Sequence, residues 1–306
     1  MLGTAPLYPQ GCVRVAQSQP LLNVHASWAF APHALKTLGA SVVLVVLMAI
    51  AAPLIAPFDP VFDADLMNSE LPPGGEFLFG TDTNGRDVLS RVIHGARISL
   101  SVGLVTQILN TIIGVSLGLV AGYMGRFWDD LIMGLTNIML SIPVIVFALA
   151  IMAALGPGLI NLFIALGLTN WAYTCRITRA QVLSDKKKDY VKAAKSLGYS
   201  RASIMFTQIM PNILGPVLVI ATLGSAEAIL LEAALSFLGL GAQPPTPSWG
   251  GMLSSARDLL FVAPWLSIFP GIAIFVTVLG FNMLGDGLRD LLDPKSVGAT
   301  KLGGVR

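Results

Sequence analysis

Long apolar runs alternate with short polar stretches along most of this 306-residue chain. A helix needs about 20 apolar residues to cross a hydrocarbon layer of about 30 Å, and the runs reach or approach that length. They lack the strict alternation of apolar and polar positions that is typical of membrane-spanning strands. The pattern therefore predicts six helical spans, at residues 38–56, 98–122, 131–155, 159–173, 213–240 and 262–284.

Two acidic residues interrupt the fifth predicted span. Glu227 and Glu232 lie five positions apart, so they do not share one helix face neatly. An ionisable side chain inside a span is costly and often functional. We therefore treat both glutamates as candidate residues of a transport pathway, and pairing inside a helix bundle is the structural alternative. The span itself is either one tilted helix or a helix followed by a broken segment.

The composition supports a membrane protein. Hydrophobic residues make up 54% of the chain and charged residues only 12%. Soluble domains carry about 25% charged residues, so this chain lacks the charge that would cover a globular surface. The predicted fold class is an all-α polytopic membrane protein with about six transmembrane helices.

Charges are distributed unevenly among the predicted loops. The first 37 residues contain two basic residues and no acid, and residues 57–97 contain seven acids against three arginines. Residues 174–211 contain eight basic residues against two acids. Cytoplasmic loops are rich in Lys and Arg. Six spans would place both termini and the 174–211 loop in the cytoplasm and the 57–97 loop outside.

These boundaries predict how the chain is organised. A cytoplasmic N-terminal segment (1–37) precedes the first transmembrane helix (38–56), and an extracytoplasmic loop with a pre-helix follows (57–97). A core with five further spans (98–284) contains the basic cytoplasmic loop. A cytoplasmic tail (285–306) ends the chain.

Three glycines recur at a spacing of four in the second predicted span. Gly114, Gly118 and Gly122 therefore lie on one helix face. Small residues at this spacing let another helix approach closely. We interpret the face as a helix-packing surface, and a pore-lining role is the alternative.

The basic loop contains the stretch DYVKAAKSLGYSRASIMFTQIMPN, residues 189–212. Helical spacing places four residues on one face of a first short helix: Tyr190, Ala193, Ala194 and Leu197. Gly198 follows where a helix ends with positive φ, and Ser200 can cap the next helix. The same spacing then recurs in four more residues: Ala202, Met205, Phe206 and Ile209. Pro211 is predicted to end this second helix.

Two uses of such a segment are open. A basic amphipathic helix can lie on anionic lipid, or it can insert into a groove of a soluble partner. The small side chains of Ala193 and Ala194 favour the partner. A lipid-facing helix more often presents Leu, Phe or Trp.

The same segment resembles the EAA loop of ABC importer permeases, at Ala193-Ala194, Gly198 and Ile209-Met210-Pro211. Three longer stretches resemble the second permease subunit of the dipeptide/oligopeptide/nickel transport family: FGTDTNGRDVLSRVIHGARISL (79–100), AALSFLGLGAQPPTPSWGGML (233–253) and GFNMLGDGLRDLLDPK (280–295). The resemblance implies the type I ABC importer permease fold, also called MetI-like, in a bacterial cytoplasmic membrane.

The resemblance also implies partners. In such importers two homologous permease subunits form the pore, two cytoplasmic ATPase subunits bind ATP and Mg²⁺, and an extracytoplasmic binding protein delivers the substrate. It assigns coupling to the ATPase to eight residues of this chain: Tyr190, Lys192, Ala193, Ala194, Leu197, Gly198, Ile209 and Pro211. The family usually carries an acid where this chain has Lys192, so an ion pair from that position to the ATPase is in doubt.

Catalytic and metal-binding patterns are weak in this sequence. It contains no G-x-x-x-x-G-K-[ST] phosphate loop and no H-E-x-x-H motif. We therefore expect no catalytic residue, no metal site and no cofactor in this chain, and no nucleic-acid partner. Two rival functions are an ion-coupled carrier, which would carry acids in several spans, and a scaffold whose basic loop recruits a soluble protein.

The predicted outer loops contain two further features. Asp82, Asn84, Gly85 and Asp87 resemble a calcium loop, but the glycine is not at the sixth position that an EF-hand requires. Asp87 is instead predicted to cap a helix that leads into the second span. Trp249 is predicted to anchor the chain at the membrane interface, with a place at the pore rim as the alternative.

Overall fold

The computed structural model describes residues 31–292, and their side chains from residue 41 onwards. Within that range the chain is helical and forms no β-strand. The helices are α1 (Ala31–Ile55), α2 (Val88–Met124), α3 (Arg126–Ser141), α4 (Val144–Leu155), α5 (Leu159–Gly167), α6 (Trp171–Asp185), α7 (Asp189–Ser196), α8 (Arg201–Ser203), α9 (Met210–Phe237), α10 (Trp249–Ser255) and α11 (Trp265–Leu292). Most of the predicted segment 1–37 and the end of the tail 285–306 lie outside the described residues.

Three helices are long and apolar enough to cross a membrane: α2, the continuous helix Arg201–Phe237 and α11. The pair α3 and α4 adds a fourth if it counts as one broken span. Helix α1 (Ala31–Ile55) covers the first predicted span, and its part with described side chains, Ser41–Ile55, is apolar. The described residues therefore support a multi-pass helical protein with fewer continuous spans than the six predicted.

The third predicted span, 131–155, is not a straight helix. Helix α3 ends at Ser141, α4 begins at Val144, and the two axes differ by 89°. Pro143 causes the break, because proline disfavours helical backbone in the residue before it. Ile142 accordingly adopts extended angles, with φ −98° and ψ 127°.

The fourth predicted span, 159–173, is also divided. Helix α5 ends at Gly167, and α6 starts at Trp171 and continues through polar sequence to Asp185. In the break, Thr169 Oγ1 donates a hydrogen bond to the carbonyl of Leu166 at 3.0 Å. A side chain that satisfies this carbonyl replaces the bond that a continuing helix would make.

Pro211 does not end the second helix of the basic loop, contrary to the prediction. The helix is continuous from Arg201 to Phe237, and Ile204–Ile209 form a π-helical turn within it. The backbone N–H of Met210 bonds to the carbonyl of Met205, five residues earlier. Proline has no N–H to donate, and the π-turn changes the hydrogen-bond register just before it. The helix therefore continues past the proline into the membrane.

The π-turn also changes which side chains face inward. Ile204 and Ile209, five residues apart, are buried. Phe206 and Ala202, predicted to share a face with Met205 and Ile209, are exposed. The prediction assumed 3.6 residues per turn, and a π-helix has a wider turn.

Helix α2 lies at the centre of the bundle and packs most closely on α6. Gly114, Gly118 and Gly122 face the α6 side chains of Thr174, Thr178 and Val182. A Cβ atom on Gly118 would lie 2.6 Å from Thr178 Cβ and 2.7 Å from the carbonyl oxygen of Cys175. These contacts leave no room for a side chain between the two helices.

The N-terminal end of α2 is covered by the 57–87 loop and by α10. Asp87 caps α2, as predicted, by accepting a hydrogen bond from the Ser90 N–H at 2.8 Å. Trp249 is fully buried, and its indole N–H donates to the carbonyl of Val92 at 3.0 Å. Trp249 therefore fixes α10 to α2, and its ring is not free to contact lipid as an aromatic anchor would.

Candidate functional site

Helix α7 ends in a Schellman motif at Gly198. Gly198 has φ +79°, a conformation that costs glycine nothing. The N–H of Tyr199 donates to the carbonyl of Ala194 at 3.2 Å, and the N–H of Gly198 donates to that of Lys195 at 3.1 Å. These two bonds satisfy the last carbonyls of the helix and reverse the chain direction.

Ser200 starts the following helix. Its Oγ accepts a hydrogen bond from the N–H of Ser203 at 3.2 Å, which is the geometry of an N-cap. The segment 189–211 thus consists of a short helix, a tight glycine turn and the start of the long helix Arg201–Phe237.

One side of α7 is held against the protein. Val191 and Ala194 are buried in an apolar cluster that also contains Val182, Ile204, Ile209 and Ile213. The Tyr190 hydroxyl donates to Asp185 Oδ2 at 2.9 Å. Burial and this hydrogen bond raise the pKa of Tyr190 to about 12, so the phenol stays protonated and keeps donating at physiological pH.

The other side of α7 and the turn face outward. Ala193 is exposed, and the exposed fractions of Leu197 and Tyr199 are 76% and 50%. A Cβ atom on Gly198 would meet nothing within 4 Å. The residues predicted to share one face of α7 therefore lie on two different sides of it. Ala194 packs inward, whereas Ala193 and Leu197 point away from the bundle.

The remaining predicted coupling residues lie beside this turn. Lys192 Nζ pairs with Asp189 Oδ1 at 2.8 Å on the exposed surface of α7. Ile209 is fully buried, and Pro211 is exposed directly after the π-turn. Exposed ion pairs of this kind contribute about 0–1 kcal/mol, so the Lys192 pair does little to hold the segment.

Glu227 lies about one-third of the way from the C-terminal end of α9, on an accessible surface. Asn170 Nδ2, in the break between α5 and α6, donates to Glu227 Oε2 at 3.2 Å. A cavity of about 190 Å³ adjoins the carboxylate and is also lined by Gln107, Tyr173 and Gly224. The carboxylate thus faces a recess with a mixed polar and apolar lining within a span, where an acid requires water, a partner or a ligand.

Glu232 is fully buried and occupies a different environment. Ser99 Oγ donates to its Oε2 at 2.9 Å, and Ser236 Oγ donates to its Oε1 at 2.7 Å. The backbone N–H of Trp249 donates to Ser99 Oγ at 3.4 Å, which extends the network to α10. Glu232 thus connects α2, α9 and α10, and the structure does not bring it to the recess of Glu227.

Gln107 and Asn170 belong to the Glu227 recess but were not among the predicted site residues. Each is a polar residue within or beside an apolar run, and such residues are costly in a membrane. The sequence alone therefore shows that Gln107 and Asn170 are unusual positions. The break that carries Asn170 toward α9 is a tertiary feature, which spacing alone does not reveal.

Within the part of the chain that the structure describes, no group of three or more His, Cys, Asp or Glu residues could hold a metal ion. The two candidate regions are the exposed turn after α7 and the recess at Glu227. They are connected by the continuous helix Arg201–Phe237, which starts beside the turn and carries Glu227.

Comparison with known proteins identifies relatives over most of the chain. Residues 114–297 match the family described as binding-protein-dependent transport system inner membrane component. The di/tripeptide transport system permease protein DppC of Pseudomonas aeruginosa (strain UCBPP-PA14) is 48% identical over 257 residues, covering 82% of this chain and 85% of the relative. The dipeptide transport system permease protein DppC of Alkalihalophilus pseudofirmus is 47% identical over 250 residues, covering 82% of each.

A third relative is named for a different substrate. The glutathione transport system permease protein GsiD of Escherichia coli O6:K15:H31 is 42% identical over 268 residues, covering 87% of this chain and 88% of the relative.

Proposed function

Because the chain belongs to the family of binding-protein-dependent transport system inner membrane components and is therefore a membrane permease subunit, we propose that it forms half of the pathway of an ATP-driven importer of short peptides. The named relatives handle dipeptides, di- and tripeptides, and glutathione. Their shared chemistry is a small peptide with free terminal charges. We assign the same substrate class to this chain.

The proposed assembly follows from the family. A homologous second permease completes the pathway, two cytoplasmic ATPase subunits bind ATP and Mg²⁺, and an extracytoplasmic binding protein delivers the peptide. The proposed location is the cytoplasmic membrane of a bacterium, with both termini and the 174–211 loop in the cytoplasm, because that loop carries eight basic residues against two acids.

The observation that carries the coupling proposal is the two-sided construction of α7. Val191 and Ala194 fix the helix to the start of the long helix Arg201–Phe237 through a buried cluster. Ala193, Leu197 and the open space at Gly198 face away from the protein. A partner that contacts the outer side would move the long helix, because the inner side cannot slide without breaking the cluster.

Within this proposal the eight coupling residues have different roles. Ala193, Leu197 and Gly198 form the surface that the ATPase contacts. Tyr190, Ala194 and Ile209 hold that surface to the bundle. Lys192 adds positive charge at its edge, and Pro211 follows the π-turn through which the movement enters the span.

The test is coupled transport by the complex reconstituted in proteoliposomes. Ala193→Asp puts a charge on the outer side, and Gly198→Trp fills the space that the partner would occupy. Both variants should assemble, and we expect peptide uptake and the ATPase activity stimulated by loaded binding protein to fall at least about tenfold, as expected when a buried contact worth about 1.4 kcal/mol or more is lost.

Matched controls separate this effect from misfolding. Ala193→Ser keeps a small side chain, and Gly198→Asn tolerates positive φ without the bulk of an indole. Both controls should stay within about twofold of the unchanged protein. Normal coupled uptake in Ala193→Asp and Gly198→Trp would instead support a helix that lies on lipid, and the coupling proposal would be wrong.

A further inference from the structure

The recess at Glu227 is one end of a longer groove along α6, α9 and α11. A second cavity, of about 480 Å³, continues from it and shares the lining residues Tyr173, Ile220 and Leu223 with it. Arg289, in the last turn of α11, lines the far end of this second cavity. The groove therefore has a carboxylate at one end and a guanidinium at the other.

The register of α9 and α11 gives the separation of the two charges. Gly215 faces Leu292, and Leu223 faces Gly285, so the two helices are antiparallel. Arg289 is consequently level with residue 218 or 219 of α9. Glu227 lies about eight residues further along, which at about 1.5 Å per residue is about 12 Å.

The wall between the charges is mostly apolar. Val219, Ile220 and Leu223 line it from α9, and the exposed ring of Tyr173 lines it from α6. An extended chain spans about 3.3–3.6 Å per residue, so the ends of a tripeptide are about 10–11 Å apart. The length, the polarity of the two ends and the apolar wall all match a short peptide with free termini.

We infer that this groove is a peptide-binding subsite of the transport pathway, in which Glu227 receives the α-ammonium group and Arg289 the α-carboxylate. The inference rests on the proposed function and adds a site to it. Asn170 acts as a positioning residue, because its amide holds Glu227 Oε2 at 3.2 Å. The apolar wall can contact peptide side chains of different kinds without selecting among them, which suits a permease whose binding protein selects the substrate.

Neighbouring acids do not compete for this site. Asp286 and Asp290 share the last turns of α11 with Arg289, but neither lines the groove. Glu232 is enclosed by its own serine network. Among the described residues no Lys, Arg or His lies within ion-pair distance of Glu227, so its carboxylate is available to an ammonium group.

The experiment measures two quantities in the reconstituted complex, the uptake of radiolabelled trialanine and the ATPase activity stimulated by loaded binding protein. Glu227→Gln and Arg289→Gln should each lower uptake about tenfold, because each removes a charge-assisted hydrogen bond to the peptide. Stimulated ATPase activity should stay within about twofold, because the coupling turn is unchanged. Glu76→Gln and Asp286→Asn are the controls, since they remove exposed acids outside the groove and should not lower uptake.

A double reversal distinguishes binding from a structural role. In Glu227→Lys combined with Arg289→Glu, a zwitterionic peptide can bind in the opposite direction, so uptake should exceed that of either single reversal. Asn170→Ala keeps both charges and should give a smaller loss of uptake than Glu227→Gln. Normal uptake in Glu227→Gln, or a double reversal with uptake no higher than that of the better single reversal, would overturn the subsite.

The two proposals fail in different ways. The subsite fails if the groove variants transport normally while Ala193→Asp uncouples transport. The proposed function fails if the unchanged complex shows no ATP-dependent uptake of short peptides. Unchanged coupled uptake in Ala193→Asp and Gly198→Trp would overturn only the coupling role of α7.

Discussion

Glu227 and Glu232 are chemically identical residues on one helix, and their surroundings give them different tasks. Glu227 is accessible and accepts one hydrogen bond, from Asn170. Glu232 is enclosed and accepts two, from Ser99 and Ser236. The five-residue spacing turns their side chains to different faces, so one faces the groove and the other fastens α2, α9 and α10 together.

Glu232 is therefore predicted to matter for stability. Glu232→Leu leaves the hydroxyls of Ser99 and Ser236 buried without their acceptor, at a cost of about 1–3 kcal/mol. Glu232→Gln keeps one acceptor oxygen and should cost less. Thermal unfolding of the purified protein in detergent measures both, and Glu227→Leu, at an accessible position, should change the midpoint far less. Equal losses for the leucine variants at 227 and 232 would contradict this role.

The sequence predicts the conformation of several individual residues correctly, because that conformation depends on their neighbours in the chain. The sequence predicts a helix end at Gly198, a helix start at Ser200 and an N-cap at Asp87, because each of these depends on residues nearby in the chain. The burial of Trp249 was not predicted, because it depends on α2 and α10 meeting, which are far apart in sequence. Asn170 was missed because its hydrogen bond to Glu227 also joins two helical regions that are far apart in the sequence.

Among the described helices, α2 and α6 share the most extensive contact. Gly118→Val would place a Cβ atom 2.6 Å from Thr178 Cβ and 2.7 Å from a backbone oxygen, so the helices must separate. Overpacking of this kind costs about 1–3 kcal/mol. We expect a lower unfolding midpoint and less assembled complex. Gly134→Val in α3 is the matched control, since a Cβ atom there meets nothing within 4 Å.

The positions of elements were predictable where one helix runs without interruption. The spans in α2, α9 and α11 follow from apolar length alone, since no neighbour is needed to explain them. The division of the fourth predicted span into α5 and α6 was not predicted, because an apolar run does not show where a helix changes direction. Pro143 gave a signal for the bend between α3 and α4, whereas the π-turn before Pro211 is a compensation that only the folded helix reveals.

For the molecule as a whole, the charge asymmetry predicts which side faces the cytoplasm. Single cysteines at Glu76 and at Lys195, both exposed, should be labelled from opposite sides of the membrane by an impermeant maleimide. Cys12→Ser removes one native thiol, and Cys175 is buried. In spheroplasts the Glu76→Cys variant should react at once and Lys195→Cys only after lysis. The reverse order would invert the topology.

The long helix Arg201–Phe237 extends without a break from the turn after α7 to beyond Glu227. Its 37 residues measure about 55 Å from end to end, which exceeds the thickness of the hydrocarbon layer. Near the middle it rests on two close contacts, Gly224 against Gln107 and Leu223 against Gly285. A push near Phe206 would be carried along the helix toward Glu227, up to the point where the Glu232 network fastens it to α2 and α10. The proposed contact surface at α7 and the recess at Glu227 are thus joined by one continuous helix, so a movement of the first would also displace the second.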